Sequence, residues 1–187
     1  MSATKQYSVN SIFYSIQGEG CNTGIAAVFV RFSGCNLQCS FCDTNFSSHR
    51  LMTAEEIAEE SKQYDCDFVV LTGGEPSLQA DDNLITALHL SGFRIAIETN
   101  GTHKLATGVD WVTCSPKENS KVVLKEVNEL KVVYVGQDVE KWRKQIKAEH
   151  YFLQPCSQQN TPQVVEYILQ HNHWRLSVQT QKYIGIA

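Results

Sequence analysis

The chain has 187 residues, of which 42% are hydrophobic and 19% charged, and its formal net charge is −4. This length and apolar content predict one folded domain over residues 1–187. They exclude a disordered chain, a helix of about 20 apolar residues that spans a membrane, and a strongly basic nucleic-acid-binding protein. Because the amino terminus lacks the long apolar stretch of a signal peptide, we expect the cytoplasm as the location.

Short apolar runs alternate with amphipathic segments along the chain. After an extended segment at 7–17, apolar runs predict strands at 27–32, 68–72, 93–98, 109–114, 130–135, 151–154 and 175–179. Capping, proline and glycine signals predict helices at 54–63, 83–90, 139–148 and 161–171. The segment 116–129 is short for a crossover helix.

The alternation predicts the α/β class. A complete eight-unit barrel typically needs about 250 residues, whereas this chain supports about six units. We therefore expect an incomplete (β/α)6-type partial TIM barrel with mostly parallel strands, trimmed helices and an N-terminal extended segment.

Polar or glycine-containing motifs directly follow five of the predicted strands. They begin after residues 32, 71, 97, 112 and 153 and read SGCNLQCSFCDT, TGGEP, ETNG, TCSPK and QPCS. In parallel α/β folds the chemistry lies at the carboxyl ends of the strands. The sequence therefore predicts one functional site at this rim.

Three of the seven cysteines, Cys35, Cys39 and Cys42, are closely spaced. Thiolates are soft ligands that suit zinc, copper or iron–sulfur clusters. Structural zinc takes four ligands, typically as two close pairs, and this segment has neither a second pair nor a suitably spaced histidine. The spacing favours a four-iron cluster with one open iron, with a structural zinc or a cluster completed by a distant cysteine as alternatives.

A second motif, Gly73-Gly74-Glu75, falls at the end of a predicted strand. Adjacent glycines allow the backbone to approach a ligand closely. Glu75 is a candidate acceptor for an ammonium group.

With Phe41 in the cysteine loop and the Gly-Gly-Glu-Pro motif, the chain resembles the radical S-adenosylmethionine superfamily. The resemblance implies a [4Fe-4S] cluster on Cys35, Cys39 and Cys42, whose open iron binds the amino and carboxylate groups of S-adenosylmethionine. Reduction by a donor such as flavodoxin or ferredoxin then gives a 5′-deoxyadenosyl radical, which abstracts a hydrogen from the substrate.

A narrower resemblance, to the 7-carboxy-7-deazaguanine synthases, covers nearly the whole chain. It rests on residues 13–20 (FYSIQGEG), 29–36 (FVRFSGCN), 42–44 (CDT), 98–101 (ETNG), 115–117 (SPK), 153–155 (LQP) and 174–183 (WRLSVQTQKY). It implies a homodimeric enzyme of queuosine biosynthesis. That enzyme converts the pterin 6-carboxy-5,6,7,8-tetrahydropterin to 7-carboxy-7-deazaguanine and ammonia.

The same resemblance implies roles for individual residues. Arg31 pairs with the substrate carboxylate, and Thr44 binds a Mg²⁺ ion whose other ligands are substrate and water. Further substrate contacts fall on Ile16, Gln17, Gly18, Thr72 and Ala187. Contacts to S-adenosylmethionine fall on Phe41, Cys42, Asp43, Gly74, Ser115, Pro116, Lys117, Gln154, Pro155, Cys156 and Ser157.

The chain departs from the family pattern at its end, where Gln181 stands at a position that is often histidine and Ala187 at one that is often proline. We interpret Gln181 as architectural. Two other function classes stay open, an activase of a glycyl radical enzyme and an iron–sulfur electron carrier. Structural roles stay open too: an ion pair for Arg31, solvent exposure for Lys117, and turn formation for Gln17, Glu19, Glu98 and Asn100.

Overall fold

A computed structural model describes residues 4–42 and 48–186. Its strands are β1 (Tyr7–Ile16), β2 (Ala26–Phe32), β3 (Arg50–Met52), β4 (Phe68–Gly73), β5 (Arg94–Thr99), β6 (Trp111–Cys114), β7 (Glu126–Tyr134), β8 (Lys147–Pro155) and β9 (Arg175–Leu176). Its α-helices are α1 (Ala54–Ser61), α2 (Asp82–Leu90), α3 (Glu140–Gln145), α4 (Thr161–Gln170) and α5 (Thr180–Ile184). No helix within these ranges is long and apolar enough to cross a membrane.

The strands form one sheet in the order β3-β1-β2-β4-β5-β6-β7-β8-β9. Every pair from β2 to β9 is parallel, whereas β1 pairs antiparallel with both β2 and β3. The sheet is open, because β3 and β9 lie at its two edges. The predicted partial barrel is confirmed, and the predicted extended segment is the antiparallel strand β1.

Side chains alternate between the two faces of the parallel strands, as the pleat requires. In β2, Val28 and Val30 pack in the core under α1 and α2, whereas Ala27 and Phe29 belong to a smaller cluster on the opposite, concave face. By the same alternation, Arg31 follows Phe29 on the concave face. Helices therefore cover one face, and the other is left to carry the site.

Local signals placed three of the helices correctly. The predicted capping box of α1 is present, since Glu56 N–H donates to Thr53 Oγ1 (3.2 Å) and Thr53 N–H to Glu56 Oε2 (2.7 Å). At α2, Leu84 N–H donates to the Asp81 carboxylate (3.2 Å). Helix α4 begins at Thr161-Pro162, as predicted.

Several element bounds differ from the prediction. The helix expected at 139–148 ends at Gln145, because Lys147 begins β8 and pairs in register with Glu126 of β7. The strand expected at 130–135 begins earlier, at Glu126, and the one expected at 175–179 is only Arg175–Leu176. β3 and α5 were not predicted. Residues 115–125 hold no helix, in agreement with the trimmed unit expected there.

Glu140 joins α3 to the chain segment before β9. Its Oε1 accepts hydrogen bonds from Trp174 Nε1 (2.7 Å) and contacts His173 Nε2 (3.0 Å), and its Oε2 accepts from Arg143 Nε (2.9 Å). Trp174 is only 2% exposed, so its N–H depends on this acceptor. Burial alone raises the pKa of Glu140, but these three partners outweigh burial and lower it from 4.5 to about 2.

We predict that Glu140→Ala lowers the free energy of unfolding by about 1–3 kcal/mol, because the buried Trp174 N–H loses its acceptor. Glu140→Gln keeps an acceptor oxygen and should lower the free energy of unfolding by less.

The stability that the Glu140 carboxylate contributes should also depend on pH. The pKa of Glu140 in the folded protein lies below its value in the unfolded chain, so this contribution is present above pH 4.5 and disappears as the pH falls to about 2. Urea denaturation of the apoprotein across this range measures both effects; equal stability of wild type and Glu140→Ala at pH 7 contradicts them.

Candidate active site

A cavity of about 430 Å³ opens at the carboxyl ends of the parallel strands, within the size range of small-molecule sites. All five motifs that follow predicted strands contribute to its wall, as does the C-terminal segment. The structure thus brings together the following residues singled out from sequence: Gln17, Arg31, Cys35, Cys39, Phe41, Cys42, Thr72, Gly74, Ser115, Lys117, Gln154, Pro155, Cys156 and Ser157.

Three of the described residues predicted for the site, Ile16, Gly18 and Pro116, are not in this wall. Ile16 is exposed at the end of β1 and Pro116 is buried behind the cavity. Gly18 lies one layer behind it, where a Cβ would meet the Gln181 side chain at 1.9 Å. Asp43, Thr44 and Ala187 lie outside the described residues.

The three thiols of the cysteine loop line the cavity, and none forms a disulfide. Leu37 N–H donates to Cys35 Sγ (3.4 Å), and Cys42 N–H donates to the Cys39 carbonyl (3.1 Å). Burial raises the pKa of the Cys39 thiol; the nearby Lys117 ammonium opposes this, and the other two thiols of the loop add to it.

This donor set fits an iron–sulfur cluster. Its members are soft, and they face one cavity that also leaves room for a ligand. Over residues 4–42 and 48–186, no three His, Cys, Asp or Glu side chains converge on a position for a single metal ion. A multinuclear cluster, in which each thiolate binds a different iron, does not need such convergence.

The glycine motif fixes the stem of the cysteine loop by backbone contact. A Cβ on Gly74 would lie 1.9 Å from the Gly34 carbonyl oxygen, and one on Gly73, whose φ is +106°, would lie 2.4 Å from the Phe32 backbone. Gly74 N–H donates to the Phe32 carbonyl and Glu75 N–H to the Gly34 carbonyl, both at 2.9 Å. Only glycine permits this approach.

Glu75 is an internal hub of hydrogen bonds in the cavity wall. The side chain is 1% exposed. It accepts four hydrogen bonds, from Ser77 N–H (3.0 Å), Ser77 Oγ (2.6 Å), Thr99 Oγ1 (2.6 Å) and Asn100 N–H (2.6 Å). Asn100 in turn donates to Asn36 Oδ1 in the cysteine loop (3.0 Å). Three of these bonds end on Oε1 and one on Oε2, and the contact to an ammonium group considered from sequence stays a prediction.

Arg31 and Thr72 lie side by side on the concave face. They are register partners in the parallel pair β2–β4, and both line the cavity. The Arg31 guanidinium lies over the Phe13 ring (4.9 Å), which stacks on Phe29 (5.1 Å between centroids). Among the described residues Arg31 forms no ion pair, so the structural alternative of a barrel-mouth ion pair finds no partner there.

Lys117 is held inside the cavity wall and is not a solvated loop residue. Its Nζ donates to the Ser115 carbonyl (2.8 Å) and to Ser115 Oγ (2.7 Å). Burial lowers the pKa of Lys117, with a further contribution from Lys131, while the Cys39 thiol acts in the opposite direction.

The turn after β8 forms the opposite wall. Gln154 Oε1 accepts a hydrogen bond from Ser177 Oγ (3.0 Å). Ser157 and Gln158 both have left-handed backbone angles, with φ of 45° and 68°, which are uncommon for residues other than glycine. Cys156 N–H donates to Asn160 Oδ1 (2.8 Å) just before α4, which holds this strained turn in place.

A buried group of charges that the sequence analysis did not anticipate lies beside the cavity. Lys131, on β7, is 3% exposed, and its Nζ lies 2.6 Å from Glu19 Oε2 and 3.3 Å from Glu98 Oε1. Burial alone raises the pKa of Glu19, but Lys131 and two amide donors outweigh it and lower the pKa to about 2. Glu129, also on β7, is 2% exposed, and burial raises its pKa.

The group was missed for different reasons: Glu98 and Lys131 lie on strands that were read as apolar runs, Glu129 fell outside the predicted strand, and Glu19 lies in a turn. The alternation of side chains along β7 could have indicated these residues. Leu130 and Val132 point into the helix-covered core, so Glu129, Lys131 and Val133 share the opposite face.

The C-terminal segment closes one side of the cavity. Thr180 N–H donates to the Gly18 carbonyl (2.9 Å), and the side chains of Gln179 (3.0 Å) and Gln181 (3.3 Å) donate to Glu19 Oε1. Gln181 thus has the architectural contact expected of it, and it also lines the cavity.

Comparisons with known proteins agree with this arrangement. Residues 29–173 match a model of the Radical SAM superfamily. A 7-carboxy-7-deazaguanine synthase of Bacteroides thetaiotaomicron is 54% identical over 95% of this chain and 97% of its own length, and one of Caulobacter vibrioides is 44% identical over 96% and 99%. The crystal structure of QueE from Escherichia coli superposes with a TM-score of 0.78 at 31% identity, over 94% of each chain. The chain therefore belongs to the radical S-adenosylmethionine superfamily and, within it, to the family of the 7-carboxy-7-deazaguanine synthases.

Proposed function

We propose that the protein converts 6-carboxy-5,6,7,8-tetrahydropterin to 7-carboxy-7-deazaguanine and ammonia, as a radical S-adenosylmethionine lyase of queuosine biosynthesis. The observation that carries the proposal is the set of side chains that line one cavity. Three soft thiols line one part of it, and the Arg31 guanidinium, which has no ion-pair partner among the described residues, lines another. A cluster on the first and a small carboxylate substrate on the second would meet within about 430 Å³.

The superfamily uses S-adenosylmethionine and a [4Fe-4S] cluster, and the donor set here fits both. Cys35, Cys39 and Cys42 would hold the cluster. When bound, the cluster and S-adenosylmethionine supply the radical that abstracts hydrogen from the substrate.

The chain's own residues would hold the cofactor beside the cluster. We assign S-adenosylmethionine contacts to Phe41, Cys42, Gly74, the segment 115–117 and the turn 154–157. The position of Gly74 in the cavity wall, in close contact with Gly34 of the cysteine loop, supports this assignment. Asp43, which lies outside the described residues, stays a prediction.

The substrate would lie on the concave face. Arg31 offers a planar pair of donors that matches a carboxylate. Thr72, its register partner, places a hydroxyl beside it. Gln17 extends this surface, with Ile16 and Gly18 behind it and Ala187 at the chain end as family-based assignments.

Further parts of the proposal come from the family resemblance. They are a Mg²⁺ ion on Thr44, a flavodoxin or ferredoxin as electron donor, a homodimer and a location in the cytoplasm. Size-exclusion chromatography with light scattering tests the dimer directly.

The cavity also weighs against the two alternatives. An activase must admit a loop of a partner protein, whereas here the C-terminal segment covers one side of the cavity. An electron carrier normally saturates its cluster with four protein ligands. It has no use for a guanidinium in the same cavity that lacks an ion-pair partner among the described residues.

The experiment that tests the function is anaerobic reconstitution of the cluster. It is followed by incubation with carboxytetrahydropterin, S-adenosylmethionine, Mg²⁺ and a reductant. Formation of 7-carboxy-7-deazaguanine, identified by its absorbance and mass, supports the proposal. Cleavage of S-adenosylmethionine without that product contradicts it.

For the cluster, we predict that substituting Cys35, Cys39 or Cys42 by Ala abolishes both the reconstituted four-iron cluster and all cleavage of S-adenosylmethionine, because each thiolate binds one iron. Cys66→Ala is the matched control, since Cys66 bonds to backbone groups at the amino ends of β2 (3.4 Å from Sγ to the Ala26 carbonyl) and β4 (3.4 Å from the Phe68 nitrogen to Sγ). Iron content and absorption spectra measure the result. Loss of the cluster in the control, with retention in a loop variant, overturns the assignment.

For the substrate carboxylate, we predict that Arg31→Ala raises the substrate KM by at least about 10-fold, because a charge-assisted pair contributes roughly 1.5–3 kcal/mol. Cluster content should stay normal. Arg94→Ala is the control, because Arg94 also lies over a ring, that of Phe68 (3.8 Å), but at the amino end of the strands. An unchanged KM in Arg31→Ala means that the carboxylate is held elsewhere.

For the metal, we predict that Thr44→Val lowers product formation strongly and blunts its dependence on Mg²⁺, because the variant keeps the side-chain shape and removes the oxygen ligand. Cluster content and the affinity for S-adenosylmethionine should be retained. Product rate against Mg²⁺ concentration is the measurement. If both proteins give the same activation curve, Thr44 is not the ligand.

A further inference from the structure

We propose that Lys131 is a positioning residue for the substrate: its ammonium group fixes the Glu19 and Glu98 carboxylates beside the cavity, and through them the Gln17 amide and the C-terminal segment. The proposal rests on the proposed function for the identity of the substrate. Its structural part, the anchoring of the segment 177–186, is independent of that function.

The ammonium group of Lys131 is buried between two carboxylates. The Lys131 side chain is 4% exposed, and a buried charge is tolerated only when it is paired and hydrogen-bonded. Its two bonded partners come from separate segments, Glu19 from the turn between β1 and β2 and Glu98 from the end of β5. Lys131 therefore ties three parts of the rim together.

The two carboxylate residues bonded to Lys131 also hold the side chain of Gln17 in the cavity wall. Both ends of the Gln17 amide are used: Oε1 accepts from Glu19 N–H (3.1 Å), and Nε2 donates to Glu98 Oε1 (3.0 Å). The orientation of this amide is thus set by the two residues that Lys131 holds. Gln17 and Glu98 both line the cavity.

The Glu19 carboxylate connects Lys131 to the C-terminal segment. Lys131 binds one oxygen of the Glu19 carboxylate, and Gln179 and Gln181 bind the other. Hydrogen bonds to an ionised carboxylate are about twice as strong as neutral ones, so the segment is held most firmly while Glu19 keeps its charge.

The surrounding charges make Lys131 hard to replace. Glu129, on the same strand, is a third carboxylate that acts on it, and Cys21 N–H bonds to Glu129 (2.8 Å). A second lysine of the cavity wall, Lys117, is half-buried, and it donates its hydrogen bonds to Ser115 and not to these carboxylates. Without Lys131, the three carboxylates would repel one another.

The test compares wild type, Lys131→Met, Lys131→Met/Glu19→Gln and the control Lys147→Met, all with reconstituted clusters. Lys147 also pairs with a glutamate (2.7 Å to Glu126), but on the surface. In Lys131→Met we expect the substrate KM to rise at least about 10-fold, while the Kd for S-adenosylmethionine stays within about twofold. Amide hydrogen exchange over 177–186 should become faster in this variant and not in the control.

The double variant separates positioning from folding. Glu19→Gln removes the charge that Lys131 compensated, so thermal stability should recover, whereas Glu98 and Gln17 still lack their anchor and the KM should stay raised. A KM that returns to the wild-type value together with stability overturns the proposal, as does unchanged exchange over 177–186 in Lys131→Met. If wild type itself forms no product, the proposed function fails, and the exchange measurement still decides whether Lys131 anchors the segment.

Discussion

The site depends on the two-faced character of the parallel strands. Because successive side chains point to opposite faces, the residues that face α1 and α2 are apolar, and their neighbours in sequence point to the concave side. Near the amino ends that side is filled by residues such as Phe29 and Val70, and toward the carboxyl ends it carries Arg31, Thr72 and Glu98. One periodicity thus builds the core and the cavity wall from the same strands.

Charge compensation is the second constraint on this wall. The buried ammonium group of Lys131 would be costly alone, and it forms a bonded group with the half-buried carboxylates of Glu19 and Glu98. The group also gives the amino-terminal turn and the C-terminal segment a common anchor in Glu19. This side of the cavity wall is therefore built from segments more than 100 residues apart in sequence.

The side of the cavity that carries the cysteine loop is fixed mainly by backbone contacts. Gly73 and Gly74 bring the end of β4 against the residues that precede Cys35, and Glu75 continues the contact to Thr99 and Asn100 at the end of β5. Short contacts between main chains leave little freedom for the cysteine loop at its stem. Lys117 lies in the same wall as the loop's thiols, and its charge opposes the effect of burial on the pKa of the Cys39 thiol.

The sequence by itself determined the class of fold, the rim on which the site lies and the cysteine loop. These features depend on local signals: apolar runs, the Thr53–Glu56 capping box, adjacent glycines and closely spaced thiols. Only the tertiary structure decided the features that depend on strand pairing or hydrogen bonds between residues far apart in sequence. Residue 147 begins a strand because β7 offers it a partner, and Glu75 is a hub because Thr99 and Asn100 lie beside it. The role of Lys131 likewise follows from carboxylates 33 and 112 residues away, because a buried charge is placed by its partners and not by its neighbours in sequence.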